Sequence, residues 1–208
     1  MPSHTLQCAA LVLSRGEPRE SCTPLTLLCP EHGVLLAYQR RGKGAGGPAL
    51  DLFDSASLTL AGDPGGSTWF VREVQVDRRR AGLALRYEAL LLGSRLGALL
   101  VRNPLAEEGR AWIHRLAEQA MDALDTHPAL AEIVYMKFLY RFARDEGYAV
   151  RQQWLADLHG ALGDEAETLL ARPLGELAGE GWAQESARKL LPRLEHFLRE
   201  HTDIELST

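Results

Sequence analysis

The chain has 208 residues, enough for one large domain or two small ones. Its 46% hydrophobic and 25% charged residues are ordinary for a folded soluble protein, and that length can bury a core without disulfides or metals. The formal net charge of −5 excludes a uniformly basic nucleic-acid binder, but the charge is uneven. Residues 1–80 carry nine Lys/Arg against eight Asp/Glu, whereas residues 81–208 carry fourteen against twenty. Only the local field matters for phosphate contact, so a basic patch in the first part stays open.

The first eighty residues read as strands. Leu6 to Leu13 is rich in apolar residues and ends at the turn formers Ser14-Arg15-Gly16-Glu17-Pro18. Leu25 to Cys29 and Val34 to Tyr38 flank Pro30-Glu31-His32-Gly33, which predicts a hairpin with Gly33 free to take a positive φ. Leu58-Thr59-Leu60 and Phe70 to Val76 flank a Gly-rich tip at Gly62-Asp63-Pro64-Gly65-Gly66 and predict a second hairpin. Val74 and Val76 alternate with Glu73, Gln75 and Asp77, the period of a half-buried strand. Five short strands with Gly/Pro-rich turns predict a small closed or partly open barrel.

From residue 83 the period becomes helical. Leu83, Tyr87, Leu90, Leu91 and Ser94 fall on one face. Asn103-Pro104 reads as a helix start, with Glu107 and Glu108 in the first turn and Trp112, Leu116, Ala120 and Leu124 following. A third helix from Pro128 to Gly147 is apolar on a broad face and predicts the central member of a bundle. Shorter pieces follow at 152–158, 165–170 and 174–177. The last helix carries Leu190, Leu191, Leu194, Phe197 and Leu198, with Pro192 predicting a kink or a fresh start. Strands followed by helices predict an α+β chain: a five-stranded barrel over 1–80, then an all-helical domain over 81–208.

No apolar run approaches the roughly 18 residues of a membrane span, and no basic-then-apolar leader opens the chain. Cys8, Cys22 and Cys29, an odd set without a secretion signal, fit reduced thiols in the cytoplasm. Cys29 and His32 have a chelating spacing that Cys8 or Cys22 would complete, but buried or half-buried strand cysteines explain the same residues without metal. No nucleophile elbow, phosphate loop, zinc-protease helix or dinucleotide fingerprint is present, and Gly42 to Gly47 lacks the Lys-Ser/Thr ending of a phosphate loop. His114, His127, His159, His196 and His201 read as solvent-facing or capping, so neither an enzyme nor a cofactor is expected.

The basic residues are more informative. Arg40, Arg41 and Lys43 cluster where a strand leaves the barrel, Arg15 and Arg19 occupy the first turn, and Arg72 and Arg78-Arg79-Arg80 mark the last strand and its exit. Short basic runs also occur as ordinary surface. On a small barrel, however, cations for phosphate together with aromatics for base stacking form a single-strand binding face. Tyr38, Trp69 and Phe70 are the aromatics in this half. Trp69, beside the Gly-rich tip, is the stacking candidate, while core and surface both stay open for Phe70.

Several segments resemble one family in order along the chain. Arg15-Gly16-Glu17, Leu25-Thr26-Leu27-Leu28, Pro30-Glu31-His32-Gly33 and Arg40-Arg41-Gly42-Lys43 resemble the N-terminal barrel of the bacterial RecO proteins. Phe138-Leu139-Tyr140-Arg141-Phe142, with Glu146-Gly147-Tyr148, resembles that family's helix ending in L-G-Y, and Leu194 to Leu198 resembles its last helix. The resemblance implies an OB-fold barrel plus a helical domain, without catalysis. It implies a DNA-repair mediator that anneals strands and helps load recombinase on single-stranded DNA, with double-stranded DNA left open as a second ligand. RecR and the single-strand-binding protein are the implied partners, and Arg188, Lys189 and Arg193 are candidates for docking the latter's acidic tail. The four-cysteine zinc site of many members has no counterpart, since no cysteine follows Cys29, and the chain is shorter and more acidic in its helical half. The competing expectation is a protein-interaction scaffold whose barrel no longer binds DNA.

Overall fold

The computed structural model describes residues 4–19, 21–42, 46–62 and 68–207. The chain forms two compact units: Met1–Arg80 with Pro104–Glu118, and Ala81–Asn103 with Gln119–Thr208.

The first unit is built on five strands, β1 (Thr5–Arg15), β2 (Cys22–Cys29), β3 (Gly33–Arg40), β4 (Ser55–Gly62) and β5 (Trp69–Arg78). They close into a barrel in the order β1-β2-β3-β5-β4, with β4 returning to β1. All pairings are antiparallel except the short β3–β5 seam, where Ala37 faces Trp69 and Tyr38 faces Phe70. This is the five-stranded Greek-key barrel of an OB fold, and with the helices that follow it makes the chain α+β. The β2–β3 hairpin forms as the sequence predicts: Cys29 pairs with Gly33, whose φ is +68°. Inward-facing positions supply the interior: Cys8, Ala10 and Val12 from β1, Leu25, Leu27 and Cys29 from β2, Ala37 from β3, and Leu58 and Leu60 from β4.

A register shift between Thr59 and Leu60 leaves Arg72 as the extra residue of β5, because Thr59 faces Glu73 and Leu60 faces Val71. A bulge of this kind switches the parity of the strand. Trp69 and Val71 therefore point inward before it, and Val74 and Val76 after it. The segment after β3 crosses the bulge. Val74 N donates to the Gly46 carbonyl at 3.1 Å, and a Cβ on Gly46 would lie 1.8 Å from the Arg72 carbonyl oxygen. Only glycine fits that approach, so Gly46 can lie against β5 at the bulge.

Leu11, Leu13 and Leu28 are buried as well, although they alternate with the interior set. Helix α2 (Arg110–Thr126) begins inside this unit. Its first half is held to the barrel by Arg110, which donates to the Glu31 carbonyl, and by Glu118, which receives Ser55 and Arg80.

In the second unit, α1 (Tyr87–Arg102) follows a single 3-10 turn, and α3 (Ala131–Asp145), α4 (Ala161–Ala171), α5 (Leu174–Leu177) and α6 (Gly181–His201) complete the set with the rest of α2. Helix α3 buries ten of its fifteen residues and packs on α1 and α6, which makes it the central helix expected from its apolar breadth. Two expectations are corrected. Asn103 ends a helix instead of starting one: its backbone N–H and its side-chain amide both donate to the Leu99 carbonyl, and α2 begins only at Arg110. The buried face of α1 is Ala89, Leu92, Leu96, Leu99 and Leu100, whereas Tyr87 and Leu91 are exposed. Helix α6 runs through Pro192 without a fresh start. No helix among the described residues is long and apolar enough to cross a membrane.

Candidate nucleic-acid interface

The outer face of the β2–β3 hairpin is set by strand alternation. On β3, Leu35, Ala37 and Gln39 turn toward the barrel, which sends Leu36, Tyr38 and Arg40 outward. Tyr38 lies beside Phe70 of β5, ring centroids 6.0 Å apart and tilted by 32°. Phe70 is exposed, while Trp69 packs on the core and against Gly62. The stacking candidate is thereby corrected: β5 presents Phe70 and turns Trp69 inward. Strand alternation gives this pair opposite faces, and the pairing of β5 with β4 decides which of them faces out.

At the strand ends lies a pocket of about 370 Å³, walled by Arg15 from the end of β1 and by Arg40, Arg41 and Gly42 from the end of β3. Its floor is Thr23, Gln39 and Leu50, all buried, and Gly47 and Ala49 close the side. Two backbone bonds hold the walls together: Gly16 N to the Pro24 carbonyl and Arg41 N to the Ser21 carbonyl, each 2.9 Å. The Gln39 amide fixes the floor by donating to the Pro48 carbonyl at 2.8 Å and accepting from Leu50 N at 3.0 Å. Among the described residues no carboxylate pairs with Arg15, Arg40 or Arg41. Three arginines thus line one concavity without counter-charge from the described residues, an arrangement suited to a multiply charged oxyanion.

The other sequence candidates scatter. Arg19 is exposed in the β1–β2 turn, and Arg72 is exposed on the bulge of β5. Lys43 lies outside the described residues, as do positions 63–67 of the Gly-rich tip. Arg78 is exposed but already interacts within the chain. Arg79 donates to Asp54 at 3.0 Å and to the Ala49 carbonyl at 3.1 Å, beside the pocket wall. Burial pushes the Asp54 carboxyl up, against the pull of the Asp51 backbone and Arg79.

Arg80 must leave the phosphate-binding set. Its guanidinium is fully enclosed; it donates to the Phe53 carbonyl at 2.6 Å and to Ser55 Oγ at 2.8 Å, and forms an ion pair with Glu118. It thereby braces Phe53, a non-glycine residue held at φ +64°. His114 is also reassigned: it is buried, with Nε2 3.8 Å from Glu118, and burial holds its imidazole below the usual value. In the second unit, Arg188 pairs with Glu132 and Lys189 with Glu185, so acids on the same unit already answer these charges. Arg193 is exposed without an ion pair among the described residues.

Sequence reasoning missed the floor of the pocket. Gln39 was the available signal, an amide at a position where the period of β3 calls for a hydrophobe. Cys8 and Cys29 are buried and Cys22 is half-buried, as strand cysteines should be, and no metal-binding group of three His, Cys, Asp or Glu forms among the described residues.

Fold and site together define a small OB-type barrel with a basic pocket that no carboxylate among the described residues answers, and with a half-buried Tyr38 against an exposed Phe70. No known family's sequence profile matches the chain, and no curated protein matches it significantly.

Proposed function

We propose that the barrel binds single-stranded nucleic acid across its β2–β3–β5 face. In this reading the protein is a non-catalytic DNA-repair mediator that anneals strands and aids recombinase loading, as the RecO resemblance implies. It would act in the cytoplasm with RecR and the single-strand-binding protein. The observation that carries the reading is the convergence of Arg15, Arg40 and Arg41, unpaired with any described carboxylate, on a barrel whose β3 and β5 also turn Tyr38 and Phe70 outward. Guanidinium groups meet phosphates, and rings accept bases of any identity, so little sequence preference is expected. Arg19 and Arg72 extend the contact outward.

The test is a titration of labelled single-stranded DNA at low and moderate salt. Each phosphate contact contributes about 0.7 to the slope of log affinity against log salt for single strands. Arg40→Ala with Arg41→Ala should weaken binding and flatten the slope by about 1 to 2 units. An unchanged slope removes these residues from the interface, and no binding at low salt favours the interaction scaffold.

A further inference from the structure

Cys8 and Cys29 point into the same barrel interior from neighbouring strands, and their sulfurs lie 3.2 Å apart. Neither is in a disulfide. Their surroundings differ in one respect. Cys29 is wholly enclosed, whereas Cys8 also lines an open groove of about 580 Å³ between β1, β4 and β5, with Gln7, Ala9, Ser57 and Glu73 around it. Cys8 keeps 8% of its surface exposed and Cys29 none, so Cys8 is the thiol nearer solvent and Cys29 lies deeper.

We propose that Cys8 and Cys29 form a peroxide-oxidisable dithiol, with Cys8 the attacked thiol and Cys29 the resolving one. The Cys8 sulfur attacks one oxygen of hydrogen peroxide; the O–O bond breaks, and the departing hydroxide takes the thiol proton as water. The resulting Cys8 sulfenic acid is then attacked by the Cys29 sulfur. The S–O bond breaks, a second water leaves with the Cys29 proton, and a disulfide remains. Two thiols are oxidised and one peroxide is reduced. The sulfurs must approach by about 1 Å to reach bonding distance. The hydrogen bond from Cys29 holds the Cys8 thiol below its ordinary value against the effect of burial, while that bond and burial push Cys29 up. The roles of the two thiols follow the same order as their exposure. This site rests on the barrel interior and is independent of the nucleic-acid reading.

Cys22 supplies an internal control. It sits seven residues from Cys29 along β2, about 23 Å away at the rise of a strand. Treating the intact protein with equimolar hydrogen peroxide and titrating thiols after denaturation should lower the count from three to one, and dithiothreitol should restore it. Peptide mapping should join the Cys8 and Cys29 peptides. In Cys29→Ser, the oxidation should halt at a Cys8 sulfenic acid that dimedone captures. Three persisting thiols, a linkage through Cys22, a Cys8 sulfinic acid beside a free Cys29 thiol, or no dimedone adduct on Cys8 would each overturn the proposal.

Discussion

Arg80 and His114 show how the same side chain changes meaning with burial. In the sequence Arg80 closes a basic triplet, and its neighbours Arg78 and Arg79 are exposed. In the structure it anchors Phe53, Ser55 and Glu118. Removing one member of a buried ion pair leaves the other charge uncompensated, at about 3 kcal/mol or more. Arg80→Ala should therefore lower the urea midpoint by that equivalent while the salt slope of DNA binding stays at its wild-type value; a lost slope with an unchanged midpoint would return Arg80 to the interface. His114 makes a pH prediction. Burial, partly opposed by Glu118 and Glu31, holds its folded value below the 6.5 of a free imidazole. The unfolded chain then takes up the proton first, so His114 contributes stability above about pH 6.5 that is lost as the pH falls through the folded value. The loss is at most about 1.4 kcal/mol per pH unit. Denaturant midpoints measured from pH 7.5 to 5 should fall, and His114→Leu should flatten that fall; an equally steep fall in the variant would exclude the imidazole as its source.

At the level of elements, the strands were legible because alternation and turn chemistry agree: β2 and β3 are each marked by apolar residues, β2 ending before Pro30 and β3 opening at Gly33. The bulge in β5 was not, since nothing in Phe70-Val71-Arg72-Glu73-Val74 marks Arg72 as the extra residue; it is set by pairing with β4 and by the Gly46 crossing. The pocket was half legible for a related reason. Arg15, Arg40 and Arg41 are visible as charges at strand ends, but only the pairing of both β1 and β3 with β2 brings those ends to one pocket. The approach of Gly46 to β5 makes its own prediction. Gly46→Ala places a methyl on the Arg72 carbonyl at φ +75°, and such overpacking costs about 1–3 kcal/mol. A thermal melt should show the loss, and an unchanged melting point would mean that Gly46 does not lie against the bulge. Helix α6 offers the opposite sign. Pro192 lies in its interior, is solvent-exposed and denies the Arg188 carbonyl an intrahelical donor. Pro192→Ala should stabilise the chain by up to about 3 kcal/mol, read as a melting point raised by several degrees.

For the whole molecule, the change from strand to helical period near residue 80 marks where one kind of local structure ends. It does not mark where the barrel's own packing ends. Hydrophobic period reports which face of an element is covered, but not by which later segment. Leu11, Leu13 and Leu28 are buried outside the barrel interior, and the Pro104–Glu118 segment belongs to the same compact unit as the strands. That segment also brings Glu118 to the enclosed guanidinium of Arg80, and Arg110 to the β2–β3 turn. A fragment ending at residue 80 would keep all five strands and lose each of these partners. It would leave an enclosed cation without its anion, one of the few mechanisms that cost several kcal/mol. The fragment 1–80 should therefore lack a cooperative thermal transition by circular dichroism and fail to bind single-stranded DNA, whereas the full chain melts cooperatively. Adding Arg80→Met to the fragment, which removes the stranded charge, should recover part of the transition. A fragment that melts like the intact barrel and binds DNA with the same salt slope would show that the strands alone make the folding unit and the binding face.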